Sequence, residues 1–505
     1  MEDHLVKVPG SSKKVQRRRV LGLLGAAGGL ALATPLLAAC GAGAATSAPT
    51  TAASATGATS SGQASSAAST ASSSAATSSA AASVGATPTI PAALAPITVG
   101  GTGGTHLQIW WPYGSKNLTV DNSATAFLKL HPTWSAEISY TNGYAKFLTA
   151  VAGGTPPDVY MPTVDVTLQY AAKQILTPLD DYIAKDKVDM QQYFKAALLS
   201  IKYQNKTYGM PEHLDVYSIY QNDRVLQSAG MDPSKGPASW DDFVTFNQKL
   251  TKKNGEDLSR VGFIPNWGSP VDTVGWLQAN GVQLLSDDGT KVTFDTPGGT
   301  EALNWVATQL KQLGGLDTIN KFKKQFKAGS GDALAHDQLG VELMGVWDIA
   351  YTILKIAPSM ALSQWPMPGG PSMSGKTLGY FVANLIVIPG GSKQHDDAWQ
   401  FVKFHSGPDG QKFIQTAPGA WDIACIPSVA NDPAALQAQP WRKRANELML
   451  QAQTPAVILS PAGDDVQKAM NTAAAPLWEG KQDVNATMAQ MKQTAQAALD
   501  KYKPQ

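Results

Sequence analysis

From Leu107 onward, short apolar runs alternate with longer amphipathic ones. Leu107-Gln108-Ile109-Trp110-Trp111 reads as a first strand, Ala136 to Tyr140 as a second, and Asp158-Val159-Tyr160-Met161 as a short third. Ser123 to Leu130 reads as a helix, and so does Tyr144 to Val151, which stops at Gly153-Gly154. Ser239-Trp240-Asp241-Asp242-Phe243 opens a further helix, with Ser239 as N-cap and Asp242 at N3 of a capping-box-like pair. Phe381 to Ile388 is an apolar strand closed by Pro389-Gly390-Gly391, and His395 to His405 returns as a helix. Strands alternating with helices predict α/β layers. The roughly 400 residues involved are too many for one simple core and predict two lobes.

The N-terminal pattern differs. An apolar stretch from Leu21 to Leu37 follows Arg17-Arg18-Arg19-Val20 and ends in Leu37-Ala38-Ala39-Cys40-Gly41. A basic start, a short apolar segment and small residues at a cut site predict an export signal over 1–39, not a spanning helix. The Leu-Ala-Ala-Cys end resembles a bacterial lipobox. That resemblance implies cleavage before Cys40, lipid on its sulfur, and a protein tethered to the outer face of a cytoplasmic membrane, extracellular or periplasmic. The paired arginines resemble a twin-arginine signal, which implies export in the folded state, although Sec signals carry arginines too. Residues 40–104 are nearly all Ala, Ser, Thr and Gly, with proline at 49, 88, 91 and 96. Such a stretch buries too little apolar surface to offset its ordering entropy and reads as a disordered linker. At roughly 60 residues its r.m.s. reach is about 45 Å.

Charge and composition narrow the functions. The formal net charge is +1, which gives no electrostatic case for nucleic acid or for a second membrane contact. No later apolar run approaches the ~20 residues of a membrane span. Once Cys40 carries lipid, Cys425 has no disulfide partner. The 7 histidines are scattered, without the close spacing of a zinc motif, so neither a metal nor any other cofactor is expected. All 13 tryptophans lie beyond the linker. An indole stacks on the apolar face of a sugar ring, while carboxylates and amides bond its hydroxyl rim.

Several segments together resemble the extracellular solute-binding proteins of carbohydrate ABC importers, the group that includes maltodextrin-binding protein. Ala152-Gly153-Gly154-Thr155-Pro156-Pro157-Asp158-Val159 is similar to the Ala-Gly-x-x-Pro-Asp-Val signature, and Leu176-Thr177-Pro178-Leu179-Asp180 to Leu-x-Pro-Leu-Asp. The glycine usual ahead of the latter is replaced by Gln174-Ile175, which puts a tight turn there in question. Asn205-Lys206-Thr207-Tyr208-Gly209-Met210-Pro211 resembles a Gly-Lys-x-Tyr-Gly-x-Pro hairpin, with an asparagine that tolerates the left-handed conformation. Ile219 to Asp223, Ser228 to Asp232, Ala238 to Phe243, Trp365 to Gly370 and Asp396 to Phe404 match further family runs in the same order. The resemblance implies a two-lobe α/β periplasmic-binding-protein fold (type II) with a hinge and a cleft that closes on solute. By analogy one lobe is 105–217 plus 378–425, and the other 218–377 plus 426–505.

It also implies a carbohydrate ligand, the transmembrane subunits of an ABC permease as partner, a monomer, and no catalysis. Trp347 matches the family's Gly-x-Trp stacking position, with Asp348 beside it as a hydroxyl acceptor; core packing is the alternative for the indole. Trp421 and Trp267 stand in loops, where either a cleft or a core role fits. Trp111 and Tyr113 close the first strand, at the sheet end where ligands of open α/β sheets bind, with Trp110 turned to the core. Asn142 and Tyr144 follow the second strand, and Tyr160 and Asp165 lie in and after the third. Glu212 and Asp215 lie near the first crossover, ready for a hydroxyl or simply solvated. Asp158, Trp240 and Trp399 read as structural, as do Trp276, Trp305, Trp441 and Trp478. Two rivals stay open: the same fold binding a polyamine or glycerol phosphate, and an extracellular glycan-active enzyme with paired carboxylates such as Asp348 and Asp422.

Overall fold

A computed structural model of the chain describes residues 96–502, apart from 115, 142, 200, 269, 270, 418 and 419. The expectations for the export signal, Cys40 and most of the linker lie outside the described residues. The end of the predicted linker does not remain linker. Ile97–Gly100 forms a strand, β1, with Ile97 and Val99 half-buried in alternation. It runs antiparallel to Ser135–Tyr140 (β3), so three β-branched residues, Ile97, Thr98 and Val99, suffice to recruit this segment to a sheet edge.

His106–Trp111 (β2) is parallel to β3 and to Val159–Tyr160 (β4), giving the order β1-β3-β2-β4. Parallel neighbours need crossover helices, and Leu118–Leu130 and Ala145–Ala152 supply them. The first begins earlier than Ser123. Asn117 caps it, its Oδ1 accepting from Thr119 N at 2.8 Å, while Ser123 is buried and meets His405 Nδ1. The chain then turns at Gln174, which takes φ 57 without a glycine. Lys202–Tyr203 (β5) and Lys206–Thr207 (β6) form a hairpin through Gln204 and Asn205, at φ 47 and 64.

The second sheet is organised by one strand, Met210–Asn222 (β7), buried along its whole length. Its neighbours in chain order are Lys252–Asn254 (β8), Asp257–Phe263 (β9), Leu339–Gly345 (β10), Leu362–Trp365 (β11), the small pair Met367–Pro368 (β12) and Thr377–Leu378 (β13), Tyr380–Ile386 (β14), Ile423–Ala424 (β15) and Thr454–Pro455 (β16). The sheet order is β16-β14-β7-β10-β9-β8, with β11 and β15 also on β7. Partners change along β7. Met210 to Tyr217 pairs with β14, and Tyr217 to Gln221 with β10. β15 joins at His213 and Leu214, and β11 at Ile219 to Asn222. The register slips once. His213 faces Asn384 and Pro211 faces Leu385, so Glu212 is the extra residue of a bulge. Bridges from Tyr160 to Val387 and from Thr163 to Asn384 tie β4 and the turn after it to β14.

Aromatic residues anchor the helices as expected. Trp240 packs edge-on to Trp276 at 5.0 Å, and Trp399 stacks on Tyr182 at 5.3 Å. Trp240 opens the helix Trp240–Leu250, whose first turn is fixed by Ser239 N donating to Asp242 Oδ2 at 3.0 Å. Asp158 is a clamp, accepting from Gln108 N, Ser392 Oγ and Gln394 Nε2. Cys425 is buried with a free thiol. Among the described residues no helix is long and apolar enough to cross a membrane.

Candidate functional site

Parallel strands deliver side chains at their C-terminal ends. Trp111 ends β2 and packs edge-on to Tyr113 at 4.8 Å, and Tyr113 lies 6.5 Å from Tyr144 after β3. Tyr144 Oη is 3.1 Å from Thr163 Oγ1, just after β4. Three strand ends thus build one aromatic wall. Asn142, between two of them, lies outside the described residues. Trp111 is buried, as is Trp110, whose ring carries Lys146 Nζ 4.6 Å from its centroid. The indole N–H of Trp111 has no partner within the protein, and neither has Asp165 Oδ1. Tyr160 belongs to the core, stacked at 4.1 Å on Phe147.

β7 supplies the floor. Its alternation puts His213, Asp215 and Tyr217 on one face. Tyr113 donates to Asn384 Oδ1 at 2.8 Å, and Asn384 Nδ2 donates to Asp215 Oδ2 at 3.0 Å, linking wall to floor. The Trp111 ring lies 6.0 Å from His213. Burial raises the pKa of Tyr113, with Tyr144 adding to it, and burial beside Asp165 raises that of Tyr144 to about 12. Both phenols therefore stay protonated donors.

The opposite wall comes from the end of β10. Tyr217 meets Trp347 edge-on at 5.2 Å. Trp347 folds back over Gly345, where a methyl group would fall 2.0 Å from the indole, so only glycine admits this ring position. Asp348 follows, half-buried, and a π-helical turn, Ile349–Ile353, lets Thr352 Oγ1 donate to its Oδ1 at 3.3 Å. Burial lifts the Asp348 pKa to about 7, and the Thr352 hydrogen bond only partly offsets it. From the same turn Tyr351, 46% exposed, reaches Trp421 at 5.5 Å, and Lys355 Nζ covers the tyrosine ring at 4.1 Å.

Two expected residues have structural partners. Glu212 does not face the cleft. The bulge turns it inward, where it is 1% exposed and held by His213 Nδ1 and by His405 Nε2 at 3.1 Å. Burial alone would raise its pKa, but the two histidines overcome that and hold it at about 2. Trp267 packs against Phe322 and Phe326 at 6.1 and 6.3 Å. The helix Gly329–Ala335 touches both Trp267 and Asp348, with Gly329 beside the first and Gly331 beside the second.

Sequence reasoning missed Tyr217, Asn384, Tyr351 and His213. Tyr217 and His213 flank Asp215 at two-residue spacing on a strand, a signal that was available. Asn384 and Tyr351 follow only from pairing and from the π-helical turn. Two surface hollows, of ≈ 600 and ≈ 530 Å³, lie apart from this cluster, around Asp295 to Asn304 and around Tyr203, Asp465 and Tyr502. The aromatic and carboxylate cluster is the candidate site.

The profile of the bacterial extracellular solute-binding protein family matches residues 124–412. A maltotriose-binding protein of Pyrococcus abyssi is 22% identical over 292 residues, 56% of this chain and 58% of that protein. A protein of Sinorhizobium fredii described as a probable amino-acid ABC transporter periplasmic-binding protein is 25% identical over 312 residues, 59% and 63% of the two chains. The chain thus spans less than two thirds of the curated relatives it matches. A solved structure of CpMnBP1 with mannotriose bound superposes with TM-score 0.65 and 25% identity, covering 78% of this chain and 100% of that one. The chain belongs to the bacterial extracellular solute-binding protein family and has its two-lobe α/β fold.

Proposed function

We propose that this solute-binding protein captures a sugar or oligosaccharide outside the cytoplasmic membrane, tethered by lipid on Cys40, and passes it as a monomer to an ABC permease. The observation that carries this reading is the aromatic cluster of Trp111, Tyr113 and Tyr144 at the strand ends of the first sheet and of Tyr217, Trp347, Tyr351 and Trp421 around the second, with Asp165, Asp215 and Asp348 near Tyr217. Indoles and phenols suit the apolar faces of pyranose rings, and the partnerless Trp111 N–H and Asp165 Oδ1 suit hydroxyls. The relatives that bind maltotriose and mannotriose support an oligosaccharide.

The change of partners along β7 at Tyr217 supports one lobe of 105–217 plus 378–425 and another of 218–377 plus 426–505. On this division Trp111, Tyr113, Tyr144 and Trp421 belong to one lobe and Trp347 and Tyr351 to the other, with Trp421 meeting Tyr351 across the boundary. Binding would close them together. No covalent chemistry is proposed.

A second reading, a polyamine, is favoured by the same carboxylates. It is weakened by the raised pKa of Asp348, which leaves that group half protonated near neutrality. Thermal unfolding of the purified protein against mono- and oligosaccharides, spermidine and glycerol 3-phosphate separates the readings, because a ligand of the folded state raises the midpoint. A shift confined to one glycan class is expected. A response to spermidine or the phosphate ester alone would overturn the carbohydrate reading and keep the fold.

A further inference from the structure

We infer that His213, Asp215 and Asp422 form a binding site for a divalent cation of the zinc type, at the β7 floor of the candidate site. Their ligand atoms lie within 4.8 Å of one another. His213 Nε2 is 3.6 Å from Asp215 Oδ2 and 3.5 Å from Asp422 Oδ1. These gaps exceed the ~2.7–2.9 Å of a charge-assisted hydrogen bond. They match the separation of about 3.3–3.6 Å between donors bound tetrahedrally at ~2.0–2.2 Å from zinc.

Three local features favour a ligand over a self-contained ion cluster. The carboxylates are buried, Asp422 at 3% and Asp215 at 9% exposure, yet Asp422 Oδ1 and Asp215 Oδ1 have no hydrogen-bond partner. Asp422 Oδ1 points at the free edge of His213. Second, the bulge sets Glu212 against His213 Nδ1, and a carboxylate on the far ring nitrogen orients a metal-binding imidazole, here with Nε2 turned toward Asp215 and Asp422. Third, the charge of Arg442 favours the Asp422 carboxylate from nearby, but its hydrogen bonds go elsewhere. Its guanidinium donates to the main-chain carbonyls of Asp422, Ile414 and Ala420, fixing the loop while leaving the carboxylate open.

The fold also explains the convergence. His213 and Asp215 share a face of β7. Ile423 pairs with Leu214, so the register continued by one residue sets Asp422 opposite Asp215. One imidazole and two carboxylates suit Zn²⁺ or a similar first-row ion, with a remaining position for water.

The test is a Zn²⁺ titration of chelator-stripped protein, read by calorimetry in the absence of any solute. One equivalent per chain is expected, with affinity at least tenfold lower in Asp422→Asn and lost in His213→Gln. No stoichiometric uptake, or uptake unchanged in both variants, overturns the site. Should a variant misfold, Co²⁺ added to the wild-type protein decides. Intense visible absorption of a tetrahedral N/O site supports the proposal, and the weak spectrum of aqueous Co²⁺ refutes it. Neither readout depends on the solute panel, so the two proposals fail separately.

Discussion

Trp347 and Asp348 differ in what they ask of their surroundings. The indole needs space, which Gly345 provides by lacking a side chain. Trp347→Ala is expected to weaken the solute found in the thermal panel by roughly tenfold, about 1.4 kcal/mol, with little change in the unliganded melting midpoint, since the ring is only half-buried. Equal affinity in calorimetry would remove it from the site. Asp348 needs water, and the fold withholds it. Its pKa rises to about 7 in the folded state. Between the ordinary carboxylate range and pH 7 the folded chain therefore holds a proton that the unfolded chain has released. That contribution to stability is full at low pH and is lost as pH climbs toward 7. Asp348→Asn should flatten this part of the pH–stability curve; an unchanged slope in denaturant titrations would contradict the assignment. Glu212 is the opposite case, a buried carboxylate satisfied on both sides. Glu212→Ala strands His213 and His405 and should cost about 3–5 kcal/mol in chemical denaturation.

At the scale of elements, much of the path was legible. β2 and β3 stood out because short apolar runs were bounded by polar turns. The helix Trp240–Leu250 stood out because Ser239 and Asp242 stand three apart. Less legible were features set by pairing. β1 hides in a Gly- and Thr-rich stretch and exists because β3 offers a free edge. The turn at Gln174 forms without glycine because the strand and helix around it dictate its course. Glu212 was misplaced because nothing in local sequence announces a bulge. His213 and Asp422, far apart in the chain, meet only through the register of β15 on β7. The β5–β6 turn carries a measurable strain, with Gln204 at φ 47. Gln204→Gly should raise stability by up to about 1 kcal/mol, because glycine takes that conformation without a steric penalty. A lower melting midpoint would show that the side chain contributes more than the backbone loses.

Across the whole molecule, the walls of the site come from segments far apart in the chain, and β7 carries the connection between them. If the lobes close on solute, X-ray scattering of the purified protein should show a smaller radius of gyration with saturating ligand than without. A thermal shift with no compaction would mean that the cleft is already shut before the solute arrives. The C-terminal helices also reach across the proposed division. Tyr502 Oη accepts from Gln169 Nε2 at 2.7 Å and donates to Asp465 Oδ2 at 2.9 Å.

The extra residue at Glu212 bears on which changes of length the gene can tolerate. A codon lost in the exposed turn around Asp288 shortens a surface connection and leaves the sheets alone. A codon lost at position 212 would let Pro211 and His213 follow one another opposite Leu385 and Asn384, restoring regular pairing but removing the carboxylate between His213 and His405. A codon lost at Leu214 has no bulge to absorb it: either Met210 and its neighbours would leave the core, or Asp215 and Tyr217 would leave their face of the strand. Substitutions along this strand can therefore accumulate one at a time, while its count of residues is fixed everywhere but at the bulge.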